Sequence, residues 1–239
     1  MSTRRLPHIV VFTGAGISAE SGIATFRDSG GLWEQYSIEE VATPDAWHRN
    51  PRLVLDFYNA RRRQVAEAQP NAAHQALAEL EQHFPTTIIT QNIDDLHERA
   101  GSTQVVHLHG EITKARCPEA PHLIYDIGYR DIQWGDTCKH GHQLRPHVVW
   151  FGEPVPMYPV AASLIRSADI GIVIGTSLAV SPANFLVDLY PPHVPIYIVN
   201  KEKPELSFLS PGRKDLTIIE TTAGEGVPRL AAQLIEQYA

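Results

Sequence analysis

A doubly wound α/β fold is the class this chain predicts: a mostly parallel sheet with a smaller inserted second domain. Three observations predict it. Short apolar runs alternate with helical patterns along most of the 239 residues. Those runs are continuously apolar rather than alternating, as strands buried on both faces must be. The first of them opens into a glycine turn of the kind that carries a strand into a helix. Alternation of this kind joins parallel strands by helical crossovers.

The strand candidates, in order, are residues 8–13 (HIVVFT), 86–90 (TTIIT), 104–108 (QVVHL), 170–175 (IGIVIG), 195–200 (PIYIVN) and 216–220 (LTIIE). The helix candidates between and after them are 71–83, 94–100 ending at Gly101, 160–167, 182–189 and 227–238. Ser181-Pro182 reads as an N-cap followed by proline at the first helical position. Two stretches break the rhythm. Residues 34–70 form a mainly helical excursion, and 112–145 are polar, rich in His, Gly and Pro, with little periodicity. The expected division is therefore 1–33, 71–111 and 146–239 for a nucleotide-binding domain, and 34–70 with 112–145 for a small domain. The small domain is expected over the carboxyl edge of the sheet, where open α/β sheets bind ligands.

Composition narrows the function. A net charge of −7 argues against nucleic-acid binding by phosphate neutralisation. The dense basic run Arg61-Arg62-Arg63 sits in a helical pattern and reads as a solvated face. No stretch approaches the roughly 18 apolar residues of a membrane span, and residues 1–7 lack the apolar core of a signal peptide. Two cysteines, Cys117 and Cys138, are too few for a disulfide scaffold. A cytoplasmic chain without membrane or nucleic-acid partners is expected.

Gly14-Ala15-Gly16-Ile17-Ser18-Ala19 fits G-x-G-x-x-A. Glycines there let the chain turn tightly and approach a pyrophosphate, whose charge meets the free amides of the next helix. A hydride-transfer dehydrogenase carries an acidic ribose ligand about 20 residues on. Here that interval holds Phe26-Arg27-Asp28-Ser29-Gly30-Gly31-Leu32-Trp33, with no strand before it. The nucleotide is expected, but for a different job. Gly175-Thr176-Ser177 leaves a second buried strand and offers amides and hydroxyls to phosphate or ribose; a plain strand exit is the alternative. Asn200 ends the next strand, placed for a ribose hydroxyl or for a simple turn.

Polar residues crowd the expected crevice: Gln91-Asn92-Ile93-Asp94-Asp95 after TTIIT, and His109-Gly110-Glu111 after QVVHL. Amides hold a carboxamide or water without adding charge. A carboxylate stabilises a positive sugar centre, and a neutral imidazole removes a proton from a hydroxyl. The structural alternatives are helix capping for Asp94 or Asp95 and a satisfied turn histidine for His109. No serine stands in a G-x-S-x-G elbow, and neither cysteine adjoins a credible base.

Taken together, GAGISAESGIATFRDSGGLW, TQNIDDLHERAG, HLHGE, RPHVVWFGE and GTSLAVSPAN resemble the sirtuin family of NAD-dependent protein-lysine deacylases. The resemblance runs over nearly the whole chain, in order. It implies a Rossmann-like domain and a small domain enclosing NAD, used as co-substrate, and an acyl-lysine protein substrate. The implied products are free lysine, nicotinamide and O-acyl-ADP-ribose. By motif, His109 is the implied general base, with Asn92, Asp94, Gln91 and Ile93 on the nicotinamide and ribose side. Gly14, Ala15, Gly16, Phe26 and Arg27 are implied to line the phosphate and nicotinamide region. Gly175, Thr176, Ser177, Asn200 and Ala223 are implied to hold the adenosine half. Val149-Trp150-Phe151-Gly152 resembles the peptide-pairing strand and acyl-lysine tunnel.

At 100° per residue, Val54, Tyr58, Arg61 and Val65 fall on one helical row, in which Arg61 is the only charge. Snorkelling or a buried acid partner is the pattern's own explanation. Within the family, Tyr58-x-x-Arg61 resembles the subgroup that removes succinyl, malonyl or glutaryl groups, through charge-assisted hydrogen bonds to a carboxylate. Many sirtuins also hold a structural zinc on four cysteines, a pattern this sequence departs from. Cys117, Cys138, His140 and His142 would make a mixed tetrahedron; a lobe packed without metal is the preferred expectation. Rival functions are mono-ADP-ribosyl transfer or NAD hydrolysis, and a non-catalytic NAD-sensing module.

Overall fold

The computed structural model describes residues 5–24, 35–179, 181–204, 206, 207, 209, 213 and 215–239. The described strands are β1 (Ile9–Thr13), β2 (Thr86–Thr90), β3 (Val105–His107), β4 (Gly110–Arg116), β5 (Ile124–Asp126), β6 (Arg145–Val148), β7 (Ile170–Ile174), β8 (Ile196–Asn200) and β9 (Leu216–Glu220). The α-helices are α1 (Gly16–Ala19), α2 (Ile38–Val41), α3 (Pro44–Arg49), α4 (Pro51–Glu67), α5 (Ala72–His83), α6 (Leu96–Ala100), α7 (Tyr158–Arg166) and α8 (Ala223–Tyr238). Six strands form a parallel sheet in the order β3-β2-β1-β7-β8-β9, and β5-β4-β6 form a separate antiparallel sheet. This is the α/β class the alternation predicts.

The continuous apolar runs follow from burial on both faces. Ile9 and Val11 of β1 pack with Leu77 and Leu80 of α5 and Leu234 of α8. Val10 and Phe12, one residue out of phase, pack on the other face with Ile165 of α7, Leu186 and Tyr190. Strand side chains alternate faces, so a strand covered by helices on both sides needs apolar residues at every position. Local chemistry sets several helix starts. The Asn50 side chain accepts from Leu53 N at 3.2 Å with Pro51 at the first position of α4. The Asn71 side chain accepts from Ala73 N at 3.0 Å at the start of α5.

A second body of core joins the helical excursion to residues beyond β3. Val41, Val54, Phe57, Tyr58 and Val65 pack with Ile112, Val148 and Trp150. Leu55 packs with Ala115, Cys117, Ile132, Cys138 and Leu144. No described helix is long and apolar enough to cross a membrane.

Four expectations are corrected. Strands β4 and β5 stand where aperiodic chain is expected, because a register shift between Gly110 and Ala115 breaks the two-residue period of β4. Residues Ala183–Leu189 form a 3₁₀ helix rather than an α-helix, and Ser181 does not cap it: the Ser181 hydroxyl donates to Asn184 Oδ1 at 3.2 Å. Helix α8 starts at Ala223, four residues before the expected start, and carries Pro228 inside it. Glu20 supports that first turn by accepting from Gly224 N at 2.7 Å and Thr222 Oγ1 at 3.1 Å. The basic run is not a solvated face either. Arg63 is exposed beside Asp131, but Arg62 is wholly buried, its Nε donating to Ile112 O at 2.7 Å and its Nη1 to Asn59 Oδ1 at 2.6 Å.

Arg62 therefore ties α4 to β4. Asn59 extends the tie, accepting from Ile132 N and donating to Ile132 O, each at 3.0 Å. Replacing Arg62 by alanine removes both bonds and opens a cavity, which costs about 4 kcal/mol and lowers the unfolding midpoint by roughly 10 °C. Thermal denaturation reads this directly, and a shift within a degree of wild type would show the tie to be dispensable.

Candidate active site

The sheet order reverses between β1 and β7, and at such a switch point the strand ends diverge and leave a crevice. Both strands leave through glycine turns that touch. Gly14 N donates to Ile174 O at 2.9 Å and Gly16 N to Gly175 O at 2.8 Å. A Cβ on Gly16 would stand 2.7 Å from Gly175 Cα, and one on Gly175, whose φ is +60°, 2.3 Å from Ile17 N. Glycine is what lets these turns meet backbone to backbone. Ala15 and Ser177 beside them are half-buried. Thr176 is buried, its hydroxyl accepting from Leu178 N at 3.1 Å and from Gln91 Nε2 at 3.2 Å.

From β2 the chain turns into the same crevice. Asn92 and Asp94 are buried and alternate along the chain with the half-buried Gln91 and Ile93. Asn92 N donates to Thr90 Oγ1 at 3.1 Å, and Thr90 Oγ1 also accepts from Thr13 Oγ1 at 2.8 Å. The fully buried His97 lies 3.1 Å from Thr13 through Nε2. Because the Thr13 proton is given to Thr90, His97 is the donor in that contact.

Asn92 Nδ2 uses both protons, on Gly14 O at 3.2 Å and Ser18 Oγ at 3.1 Å. Its Oδ1 is thereby left as an acceptor. Ser18 passes its own proton to Asp94 Oδ2 at 3.0 Å, and Asp94 Oδ1 accepts from Leu96 N at 3.2 Å. Burial raises the Asp94 carboxyl above its ordinary value, and these two donors oppose the rise. The capping alternative thus holds for Asp94 in part: it bonds the first turn of α6 and also faces Ser18. Asp95 turns outward to Tyr129 and Arg99. Ser18 is a buried site residue not among the sequence candidates; its position in the glycine motif, one turn after Gly14, was the signal.

Two histidines two residues apart have opposite character. His109 is half-buried and its Nδ1 lies 3.0 Å from Gln91 O. A carbonyl only accepts, so Nδ1 carries the proton and Nε2 the lone pair. Burial lowers the His109 pKa, and the Gln91 carbonyl works weakly the other way. His107 meets Asn92 O at 2.9 Å and the Glu98 carboxylate at 2.8 Å. Burial opposes its charge too, but Glu98 outweighs it and the net shift is upward. Of the pair, burial lowers His109 toward the neutral form that a base needs, whereas Glu98 raises His107.

On the far side of the switch point, Asn200 Nδ2 donates to Glu202 O at 2.6 Å, so the turn explanation holds for its amide nitrogen. Ala223 is buried at the first position of α8. Phe26 and Arg27 lie outside the described residues.

Strand β6 stops at Val148, so Val149-Trp150-Phe151-Gly152 follows the strand as a turn and does not extend it. Gly152 has φ +88°, a conformation that ends regular pairing. Val149 N donates to His109 O at 2.9 Å and Phe151 N to Ala42 O at 3.0 Å. This turn therefore joins His109 to the helical excursion. Trp150 is buried and donates from Nε1 to Tyr58 Oη at 3.1 Å. Arg61, half-buried one turn on, is lowered in pKa by burial, an effect Tyr58 and Asp94 oppose.

The four expected metal candidates do not converge. Cys117 and Cys138 are buried with their sulfurs 2.7 Å apart, while His140 and His142 are exposed. Among the described residues, no three His, Cys, Asp or Glu side chains gather to hold a metal ion. The lobe does not fit a tetrahedral zinc.

Comparison with known proteins adds to this geometry. The Sir2 family profile matches residues 14–182. The chain is 48% identical over 235 residues to an NAD-dependent protein deacylase of Bacteroides thetaiotaomicron, covering 96% of this chain and 99% of that one. A Sir2 homologue in complex with NAD superposes with a TM-score of 0.86 at 39% identity, over 97% of this chain and 91% of the other. A mutant Sir2 homologue in complex with 2'-O-acetyl ADP ribose superposes with a TM-score of 0.85, also at 39% identity, over 97% and 93%.

Proposed function

The chain belongs to the Sir2 family, and from that premise we propose that it removes acyl groups from lysine side chains of other proteins with consumption of NAD. One observation carries the reading: Asn92, Ser18 and Asp94 form a directed hydrogen-bond chain at the switch point, with His109 nearby in its Nδ1–H form. The site suits a dinucleotide. Gly14, Ala15 and Gly16 offer a turn followed by a helix start to a pyrophosphate, and a side chain in place of either glycine would collide with Gly175 or Thr176 and force the two turns apart. Gly175, Thr176 and Ser177, with Asn200 and Ala223, stand toward the adenosine half in this proposal. Phe26 and Arg27 are proposed beside the phosphates and nicotinamide from their motif alone.

When bound, NAD supplies the sugar that takes the acyl group as nicotinamide departs. The chain's own residues have simpler tasks. Asn92 Oδ1, left without a proton to give, accepts from the sugar or the carboxamide, with Gln91 and Ile93 lining the same wall. The Asp94 carboxylate, held by Ser18 and Leu96 N, lends negative charge to a sugar centre that becomes positive. His109 Nε2 takes a proton from a ribose hydroxyl. Val149, Trp150, Phe151 and Gly152 receive the substrate backbone and the acyl-lysine stem.

We further propose a preference for acyl groups that end in a carboxylate, succinyl or malonyl above acetyl. Arg61 supports it: an arginine on an otherwise apolar row, next to a phenol and near Asp94, suits a carboxylate ligand. In this proposal 34–70 and 112–145 make up the substrate-side lobe, and 1–33, 71–111 and 146–239 the NAD-binding domain.

Chromatography of a reaction with NAD and an acyl-lysine peptide tests the central reading. Nicotinamide, unmodified lysine and O-acyl-ADP-ribose in equal amounts are expected. Free or protein-bound ADP-ribose would point instead to NAD hydrolysis or ADP-ribosyl transfer, and an inert protein to an NAD sensor.

A further inference from the structure

We propose that Trp150 determines acyl specificity by fixing which way the Tyr58 hydroxyl donates. The inference rests on the proposed acid-terminated acyl group. An indole N–H donates and accepts nothing, so in the 3.1 Å contact Tyr58 Oη is the acceptor. A phenol oxygen has one proton, which lies near the ring plane on one side or the other. With Trp150 on one side, the proton is turned to the other, and no described residue accepts it. Burial pushes the Tyr58 pKa up to about 12, so the proton is present throughout the working range of pH.

The indole is held from several directions, which makes it a fixed reference for the phenol. The Arg145 guanidinium carbon sits 3.3 Å from the centre of the Trp150 ring. Arg145 is itself clamped on Glu153 at 2.7 and 3.0 Å, and the same carboxylate accepts from Trp150 N at 2.8 Å. Trp47 packs against the ring at 5.9 Å between centroids. A cation on the indole face also makes its N–H a stronger donor. Tyr58 therefore presents an oriented O–H on the helical row that carries Arg61 one turn later. A succinyl carboxylate accepts such a hydrogen; an acetyl group has no atom there to accept it. Toward the acyl carboxylate Trp150 acts only through Tyr58, as a positioning residue, whatever contact its segment makes with the lysine stem common to both peptides.

The test compares succinyl-lysine and acetyl-lysine peptides on the full chain. Trp150→Phe keeps an aromatic ring and deletes the N–H. A benzothienylalanine placed at position 150 alone keeps the bicyclic shape and also lacks the N–H. Both lower the ratio of desuccinylase to deacetylase kcat/KM about tenfold, with the change in KM for the succinyl peptide and not in KM for NAD. An unchanged ratio in the benzothienyl protein, alongside a collapsed ratio in Arg61→Met, overturns the role of Trp150 while the acyl preference stands. An unchanged ratio in Arg61→Met as well overturns the preference itself and this inference with it.

Discussion

Replacing His109 by alanine lowers kcat about a thousandfold, with nicotinamide, peptide and O-acyl-ADP-ribose yields falling together. The expectation rests on the tautomer. The Gln91 carbonyl holds the proton on Nδ1, so the free lone pair is on Nε2, and burial favours the neutral ring. The sign of the pH dependence follows. A base works only when unprotonated, and burial lowers the pKa, so the acidic limb of the pH–rate profile has its midpoint below 6.5. Only the limb assigned to His109 disappears in the variant. His107 offers the contrast, since its Glu98 partner raises it. If His109→Ala turned over like wild type, the base would have to be sought elsewhere.

Replacing Arg61 by methionine lowers the ratio of desuccinylation to deacetylation about thirtyfold, the worth of a charge-assisted hydrogen bond of roughly 2 kcal/mol. Methionine keeps the length and apolar stem of the side chain, so the burial of Val54, Tyr58 and Val65 on the same row of α4 is retained while the charge is lost. Acetyl-lysine kinetics serve as the internal control, because an acetyl group has no carboxylate for Arg61 to meet. Equal losses on both peptides would make Arg61 a support for the site and not its selector.

Much of the fold was legible in the sequence because the sheet is parallel and covered on both faces. That condition leaves unbroken apolar runs whose ends fall within a residue or two of β1, β2, β7, β8 and β9. The small antiparallel sheet was not legible. One register shift in β4 and two strands of three and four residues leave no period to detect. The start of α8 was misplaced for a related reason: Gly224, Gly226 and Pro228 read as helix breakers. Their first turn is held by Glu20, 204 residues away from Gly224 in the chain.

The sequence by itself determined what depends on neighbours along the chain: the alternation of strand and helix, the glycine turns, and the grouping of amides, carboxylate and histidine after β2 and β3. Tertiary structure alone decided which of three consecutive arginines is wholly buried, since the approach of Ile112 distinguishes Arg62 from Arg63, which faces Asp131 at the surface. It also decided the partnership of Ser18 with Asp94, the orientation Trp150 imposes on Tyr58, and the failure of His140 and His142 to join the two cysteines. Propensity and pattern act within a few residues, whereas burial and hydrogen-bond direction are set by atoms that meet only after the chain has closed on itself.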